Sequence, residues 1–197
     1  VFFFLIDFTG FSVGKRILAS LFQSVTLRTA GFNTADLGAM SDSSKAIMIL
    51  MMLIGGSPGS TAGGMKTTTI AVLILNAFAT FGREPETEVF GRRFDNTVVK
   101  NAATIAILYF FLFFAGGIAI SQIEHVALSD CLFETASAVG TAGLTLGITT
   151  ELGLVSHLIL VVLMYLGRVG GLTLIYAAIS VKIQSGAKRP LDKITVG

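Results

Sequence analysis

The stretch SVTLRTAGFNT, Ser24 to Thr34, contains the tripeptide that decides the fold, and Thr-Ala-Gly returns in ETASAVGTAGL, Glu134 to Leu144. Each tripeptide ends an apolar stretch with a helical pattern, Ile17 to Leu27 and Val126 to Val139, of about three turns. The repeated order of a short apolar helix and a Thr-Ala-Gly turn is the feature from which the architecture can be worked out.

The composition indicates that the surrounding solvent is a lipid bilayer. Only 13% of the residues are charged and the mean hydropathy is +0.80, whereas soluble domains have roughly 25% charged residues. The uncharged runs Asn101 to Gln122 and Ala46 to Met65 are each about as long as the ~20 residues that span hydrocarbon. We predict a third span over Leu152 to Val181 and the stub of a fourth over Val1 to Ile6. Because no initiating Met precedes Val1, the chain is interpreted as a fragment.

The two short helices cannot cross a bilayer and must enter and leave on the same side. Irregular backbone at membrane depth persists only where protein encloses it or water reaches it, because lipid cannot satisfy its hydrogen bonds. A re-entrant loop that lines an ion path meets this condition. We therefore expect each Thr-Ala-Gly to follow a pore helix.

The two halves of the chain align with each other. Leu21-Phe22-Gln23 matches Leu132-Phe133-Glu134, each Thr-Ala-Gly follows after a one-residue gap, and Gly55 and Gly167 lie at the same distance beyond it. Such internal similarity is the signature of a duplicated unit. The pattern predicts an all-α membrane protein in which a helix, a re-entrant loop and a second helix occur twice.

Basic residues define the orientation. They cluster between the second and third spans and after the last one, at Arg83, Arg92, Arg93, Lys100, Lys182, Lys188, Arg189 and Lys193. The positive-inside rule places both clusters in the cytoplasm. The net charge of +2 gives no reason to expect nucleic acid as a partner, and the single Cys131 excludes an internal disulfide.

The motifs resemble a known family, the Trk/Ktr/HKT potassium transporters, whose chains carry four such repeats arranged like a potassium channel. The resemblance rests on SVTLRTAGFNT (Ser24 to Thr34), GGSPGSTAGGMKTTT (Gly55 to Thr69), ETASAVGTAGL (Glu134 to Leu144) and GRVGGLT (Gly167 to Thr173), and covers essentially the whole chain. With the closing segment Lys188 to Gly197, it is most similar to the third and fourth repeats of a bacterial Ktr-type (KtrB-like) uptake subunit.

The resemblance implies a division of the chain. Residues 1–82 are expected to form the third-type repeat, with a helix stub, pore helix, filter and broken second helix. Residues 83–95 form a cytoplasmic loop, residues 96–183 the fourth-type repeat and residues 184–197 a cytoplasmic tail.

The resemblance also implies partners. Two pore loops are half of a four-loop ring, so the partners are either missing N-terminal repeats or a homodimer mate. A cytoplasmic nucleotide-binding regulatory subunit and membrane lipid complete the set, and the location is the bacterial inner membrane, which is the plasma membrane, as a multi-pass protein.

The two loops are predicted to form the selectivity filter. Backbone carbonyls that point into a pore can replace the hydration shell of a potassium ion, and Gly31 and Gly143 can adopt the positive φ that such a turn requires. Potassium is expected at their carbonyls, with sodium as a second candidate, since each loop has one glycine and no Tyr. The alternative is that each Thr-Ala-Gly only ends a buried helix at a glycine cap. The predicted filter residues are Thr29, Ala30, Gly31, Phe32, Thr141, Ala142, Gly143 and Leu144.

The stretch Gly55 to Gly64 is predicted to interrupt a span, because a helix cannot run through its five glycines and Pro58. Discontinuous helices at mid-membrane usually line ion sites, and the resemblance implies a gate loop beneath the filter. The alternative is close helix packing, since Gly55 to Gly59 and Gly167 to Gly171 both fit GxxxG. The predicted gate residues are Gly55, Gly56, Ser57, Pro58, Gly59, Ser60, Thr61, Gly63, Gly64 and Arg168.

Three basic residues, Arg28, Lys66 and Arg168, lie in or beside predicted apolar segments. A central Arg168 costs about 2.5 to 3.5 kcal/mol to insert, so it is expected either to oppose cations below the filter until loop oxygens bind it or to be paired structurally. Arg28 is predicted to brace the pore helix through Glu134 or a carbonyl, or else to extend to the interface. Lys66 is predicted to reach cytoplasmic water.

Two motifs suggest other functions. Gly55 to Gly59 fits the G-x-S-x-G of serine hydrolases, which leaves an intramembrane serine protease as an enzyme alternative, although both histidines are assigned to the opposite membrane side. A phosphate-binding loop would need Lys at position 65, where Met65 stands, so no nucleotide is expected on this chain. We expect no enzyme, and the alternative to ion transport is a helical membrane scaffold or assembly subunit.

Overall fold

The computed structural model describes residues 2–83, 87–89 and 92–170. Its elements, in chain order, are α1 (Phe2–Ile6), α2 (Val13–Thr26), α3 (Asp42–Leu53), α4 (Thr67–Phe81), β1 (Glu88–Val89), β2 (Arg92–Arg93), α5 (Asn96–Glu124), α6 (Leu128–Gly140), a 3₁₀ turn (Ile148–Glu151) and α7 (Leu154–Val169). The two short strands pair antiparallel in a hairpin between the two repeats. The predicted all-α fold is confirmed, with this hairpin as its one addition in the described part of the chain.

Helix α5 is the membrane-length element of the described residues. It has 29 residues and is therefore about 44 Å long at 1.5 Å per residue. Within the described ranges no other helix is both long and apolar enough to cross a bilayer, whereas α4 and α7 are shorter apolar helices. Asp95 caps α5, since its Oδ1 accepts a hydrogen bond from the Thr97 amide at 2.9 Å. Hydrogen bonds from Thr97 lower the pKa of this carboxyl.

The uncharged run Ala46 to Met65 is interrupted, as its glycines and Pro58 predict. Helix α3 ends at Leu53, an irregular segment follows through Lys66, and the chain resumes as the apolar helix α4. A count of uncharged residues does not test whether the backbone can stay helical, and the glycines with Pro58 end the helix inside the run. The second half of this broken helix is α4, which lies within residues 1–82, where a broken second helix is predicted, although its bounds were not predicted.

Lys66, predicted to reach cytoplasmic water, is half-buried and directly precedes α4. Its Nζ donates hydrogen bonds to the carbonyl of Ala62 at 2.6 Å and to that of Ser60 at 3.3 Å. Thr67, Thr68 and Thr69 form the first turn of α4. The ammonium group therefore satisfies carbonyls of the irregular segment, since a loop without internal ladder bonds has carbonyl oxygens to offer.

Helix α6 is the centre of the fold. It packs against α3, α5 and α7, and every residue from Phe133 to Gly140 is buried. The last predicted span corresponds to α7 as far as Val169. Its remainder, Gly171 to Val181, and the predicted tail lie outside the described residues, and the domain boundaries stay predictions.

In each repeat, a carboxylate at the C-terminal end of the first helix accepts hydrogen bonds from the N-terminus of the second helix. In the first repeat, Asp7 accepts a hydrogen bond from the Ser41 amide at 3.1 Å and another from the Ser44 hydroxyl. Both donors lie at the N-terminus of α3, where free amides favour a negative charge.

Glu124 forms the same contact in the second repeat. It accepts from the amide of Gly153 at 2.9 Å and from the hydroxyl of Ser156, at the N-terminus of α7. The internal duplication therefore extends to a polar clasp, which the sequence analysis did not identify.

Candidate functional site

The two Thr-Ala-Gly turns adopt the same backbone conformation. Thr29 and Thr141 have φ of 63° and 52°, and Gly31 and Gly143 have φ of 74° and 81°. A positive φ is rare for a β-branched residue, so its occurrence at both threonines indicates a turn that the surroundings impose. The glycines carry no β-carbon that would oppose their own conformation.

A side-chain hydroxyl of the preceding pore helix holds each loop. Thr26 Oγ1 accepts from the amide of Phe32 at 3.0 Å and donates to its carbonyl at 2.9 Å. Ser137 Oγ accepts from the amide of Leu144 at 2.9 Å. Each bond fixes the residue directly after the filter glycine. The sequence analysis missed these two residues, although the alignment of Leu21 with Leu132 places hydroxyls at matching positions.

The two loops meet at their glycines. A β-carbon on Gly31 would lie 2.9 Å from the carbonyl oxygen of Ala142, and one on Gly143 would lie 3.4 Å from the Gly31 Cα. Ala142 and Leu144 are buried, whereas Phe32 and Gly143 are exposed. The structure therefore brings the predicted filter residues of both repeats to one place.

Glu134 anchors the segment that follows the second loop. Its carboxylate accepts hydrogen bonds from the Leu146 amide at 2.9 Å and from the hydroxyls of Thr145 and Thr149, both at 2.7 Å. Of the alternatives predicted for Arg28, the contact with Glu134 is wrong, because these three donors occupy both carboxylate oxygens in the described part of the chain. The side chain of Arg28 is exposed, which is compatible with its extension to the interface. A buried carboxylate takes the nearest donors, and the loop supplies them.

The predicted gate segment is a closed loop. The Gly55 amide donates to the Met65 carbonyl at 2.7 Å, and the Met65 amide donates to Leu53 at 3.1 Å. The two ends of the loop are thus joined as in a parallel β bridge. Because Gly55 to Gly59 is not helical, the GxxxG interpretation of this motif is wrong, since that contact requires a helix surface.

The inner part of this loop touches the second filter. The Gly63 amide donates to Thr141 Oγ1 at 3.1 Å, and the Gly64 amide donates to the Gly167 carbonyl at 3.3 Å. The guanidinium of Arg168 donates to the carbonyl of Thr61. The sequence predicted that Arg168 and loop oxygens would meet, and the structure places them in contact.

The outer part of the loop, residues 57–61, is exposed, whereas Gly55, Gly63 and Gly64 are buried and Gly56 is half-buried. A cavity of about 610 Å³ lies between the second loop and α7. Thr141, Gly143 and Arg168 line it, together with Glu134. Residues of the second filter loop and Arg168 thus border one space.

The serine protease alternative has no geometric support within the described residues. Ser57 accepts hydrogen bonds from Ser60 through its carbonyl. His157 lies near the start of α7, eleven residues before Arg168. It is therefore about 16 Å along the helix axis from Arg168, the residue of α7 that contacts the loop.

Short pore helices with matching re-entrant turns, beside a long apolar helix and a broken one, define the pore-loop class of helical membrane proteins. The comparison with family models is specific: residues 7–187 match TrkH, described as a cation transport protein. The chain belongs to the TrkH cation transport family.

Individual relatives of the chain are named as potassium or potassium/sodium uptake proteins. The chain is 35% identical over 182 residues to the Ktr system potassium uptake protein B of Bacillus subtilis, covering 92% of this chain and 41% of that protein. It is 34% identical to the potassium/sodium uptake protein NtpJ of Enterococcus hirae, covering 93% and 42%. The potassium transporter TrkH of Vibrio parahaemolyticus has the same fold, with a TM-score of 0.75 at 23% identity, over 90% of this chain and 41% of that one. The chain thus spans about two fifths of the length of these relatives.

Proposed function

We propose that this chain supplies two pore loops of a bacterial potassium uptake protein, corresponding to the third and fourth repeats of a KtrB-type subunit. The observation that carries the proposal is the pair of matching loops that meet at Gly31 and Gly143. Relatives more than twice as long leave room for two further loops of this kind, which would complete a four-loop ring.

The transported ion is potassium, held by carbonyl oxygens at Gly31 and Gly143. One of the relatives is named for uptake of both potassium and sodium, and each loop here has one glycine and no Tyr. We therefore propose weaker discrimination against sodium than in a filter with more ordered carbonyl layers.

The gate is the loop Gly55 to Gly64 together with Arg168. The single bond to the Thr61 carbonyl leaves the guanidinium its full positive charge beside the same cavity as Thr141 and Gly143. We therefore propose that Arg168 opposes cation entry in this bound state as well, and not only until loop oxygens bind it, as the sequence suggested. On the cytoplasmic side, the exposed Arg92 of the hairpin offers a basic contact for a nucleotide-binding regulatory subunit.

The test uses the protein expressed from its complete reading frame in a bacterium that lacks its own potassium uptake systems. Gly31→Ser and Gly143→Ser should each reduce potassium uptake and its selectivity over sodium. Gly14→Ser is the matched control, because a β-carbon there meets nothing within 4 Å. Unchanged uptake and selectivity in both filter variants, at normal membrane abundance, would favour the scaffold function instead.

A further inference from the structure

Thr141 belongs to the second filter loop and to the gate contact at the same time. Its backbone has the positive φ of the filter turn, while its Oγ1 accepts a hydrogen bond from the Gly63 amide at 3.1 Å. A hydroxyl oxygen has two lone pairs, and this amide uses one of them. A cation at the second loop that used the same lone pair would displace this amide, and one at the other lone pair would be repelled by the partial positive charge of the amide hydrogen beside it.

The contact is tight. A β-carbon on Gly63 would lie 2.3 Å from Thr141 Oγ1 and 2.6 Å from its Cγ2, which no real side chain tolerates. The loop approaches the threonine this closely only because residue 63 is glycine. Since Arg168 binds Thr61 and Gly167 binds Gly64, the short segment 61–64 is held between α7 and the filter.

The two repeats differ at this position. Thr29 has the same place in its turn and nearly the same φ, but in the described residues the gate loop donates a hydrogen bond to Thr141 and not to Thr29. Among the described residues, Thr141 is therefore a filter threonine that contacts the gate loop, and Thr29 is one that does not.

We propose that Thr141 Oγ1 is a shared acceptor that couples the gate loop to ion occupancy of the second filter loop. In the structure it is bound by the Gly63 amide. When the loop withdraws, this lone pair becomes available to a potassium ion, and an ion bound there in turn favours the withdrawn loop, because coupling between two binding events is reciprocal. The inference rests on the proposed function.

The experiment measures the position of the loop directly. In the protein expressed from its complete reading frame, Ala62→Cys introduces a thiol at a half-buried position next to Gly63, and its rate of modification by a water-soluble maleimide is compared with that of the protein without this cysteine. Potassium chloride is the probe, with choline chloride at equal ionic strength as the reference.

Thr141→Val should raise the modification rate about two- to twelvefold, the equilibrium effect of losing one ordinary hydrogen bond, and should abolish its dependence on potassium. In choline chloride, Thr141→Ser, which keeps the Oγ1 acceptor, and Thr29→Val, which removes a filter hydroxyl that the gate loop does not contact in the described residues, should both leave the modification rate unchanged. Gly63→Ala, which displaces the loop while leaving the threonine intact, should raise the rate as Thr141→Val does. Membrane abundance is measured for every variant.

The parent is the protein that carries only Ala62→Cys, and the other substitutions are added to it. The proposal is overturned if Thr141→Val and Gly63→Ala leave the maleimide modification rate of the parent unchanged, or if potassium has no effect on that rate in the parent. If uptake is nevertheless lost in Gly143→Ser, the coupling proposal fails while the proposed filter function is retained. Unchanged uptake in both glycine variants would instead remove the proposed function, whatever the modification rates are.

Discussion

Gly31 and Gly143 are in contact although they belong to different halves of the chain. A β-carbon on Gly31 would come within 2.9 Å of the Ala142 carbonyl oxygen, while one on Gly143 would be 3.4 Å from the Gly31 Cα. Both residues have positive φ. The two loops are therefore neighbours in one structure, and the space available at each glycine is different.

This difference predicts unequal effects of alanine at the two glycines. Each substitution costs roughly 1 to 2 kcal/mol from the left-handed backbone alone, and Gly31→Ala adds a clash with a backbone oxygen that cannot move independently. We expect Gly31→Ala to reduce the potassium-to-sodium uptake ratio more than Gly143→Ala does. Uptake of rubidium and sodium by cells carrying each variant measures this ratio, and equal losses in the two variants would contradict the steric argument.

Arg168→Ala should raise potassium flux or make it independent of regulation. The substitution removes both the positive charge beside the cavity and the hydrogen bond to the Thr61 carbonyl. Arg168→Lys is the matched control, because it keeps the charge but not the planar set of donors, and its flux should lie between those of Ala and the parent. If flux follows only the amount of protein in the membrane, Arg168 has a structural role and no part in gating.

Ser137→Ala and Thr26→Ala should each loosen one filter loop. The buried amide of Leu144 then loses its acceptor, and an unsatisfied buried polar group costs about 1 to 3 kcal/mol. The amide of Phe32 is only part-buried, so Thr26→Ala should have the smaller effect. We expect a lower midpoint of thermal unfolding in detergent together with weaker ion selectivity. Ser24→Ala is the control in the same helix as Thr26, since its hydroxyl bonds only the Ser20 carbonyl one turn earlier. A selectivity loss as large in the control would show that the effect comes from the helix.

Glu134→Gln should destabilise the segment after the second loop. All three partners of the carboxylate are donors, the hydroxyls of Thr145 and Thr149 and the amide of Leu146. A glutamine would turn an NH₂ group toward one of these donors, for an expected loss of about 1 to 3 kcal/mol. Thermal unfolding measures the effect, with Asp130→Asn in the same helix as control. No shift relative to this control would mean that the hydroxyls rotate to accept from the amide.

Part of the fold could be predicted because it depends on local rules. Thr-Ala-Gly at the end of a short apolar helix predicts a re-entrant turn, and five glycines with Pro58 predict the end of a helix, and both features are present. The uncharged run Ala46 to Met65 has the length and apolarity of one span, but its glycines and Pro58 decide the outcome, and the backbone forms the end of α3 and an irregular loop.

The partners of polar groups could not be predicted from the sequence. Glu134 was one of the partners predicted for Arg28, beside a carbonyl or extension to the interface, but the carboxylate binds Thr145, Leu146 and Thr149. Several donors are compatible with one acceptor, and only their positions in space choose among them. The same holds for the clasps at Asp7 and Glu124, whose serine and glycine partners lie at the start of a later helix.

The sequence by itself determined the solvent, the duplicated unit and the location of the turns, since hydropathy, internal similarity and glycine content are properties of neighbouring residues. Only the tertiary structure decided that the Gly63 amide bonds the Thr141 hydroxyl and that Arg168 reaches the Thr61 carbonyl. These contacts join residues distant in the chain. They depend on how closely α3, α6 and α7 pack, which no local pattern specifies.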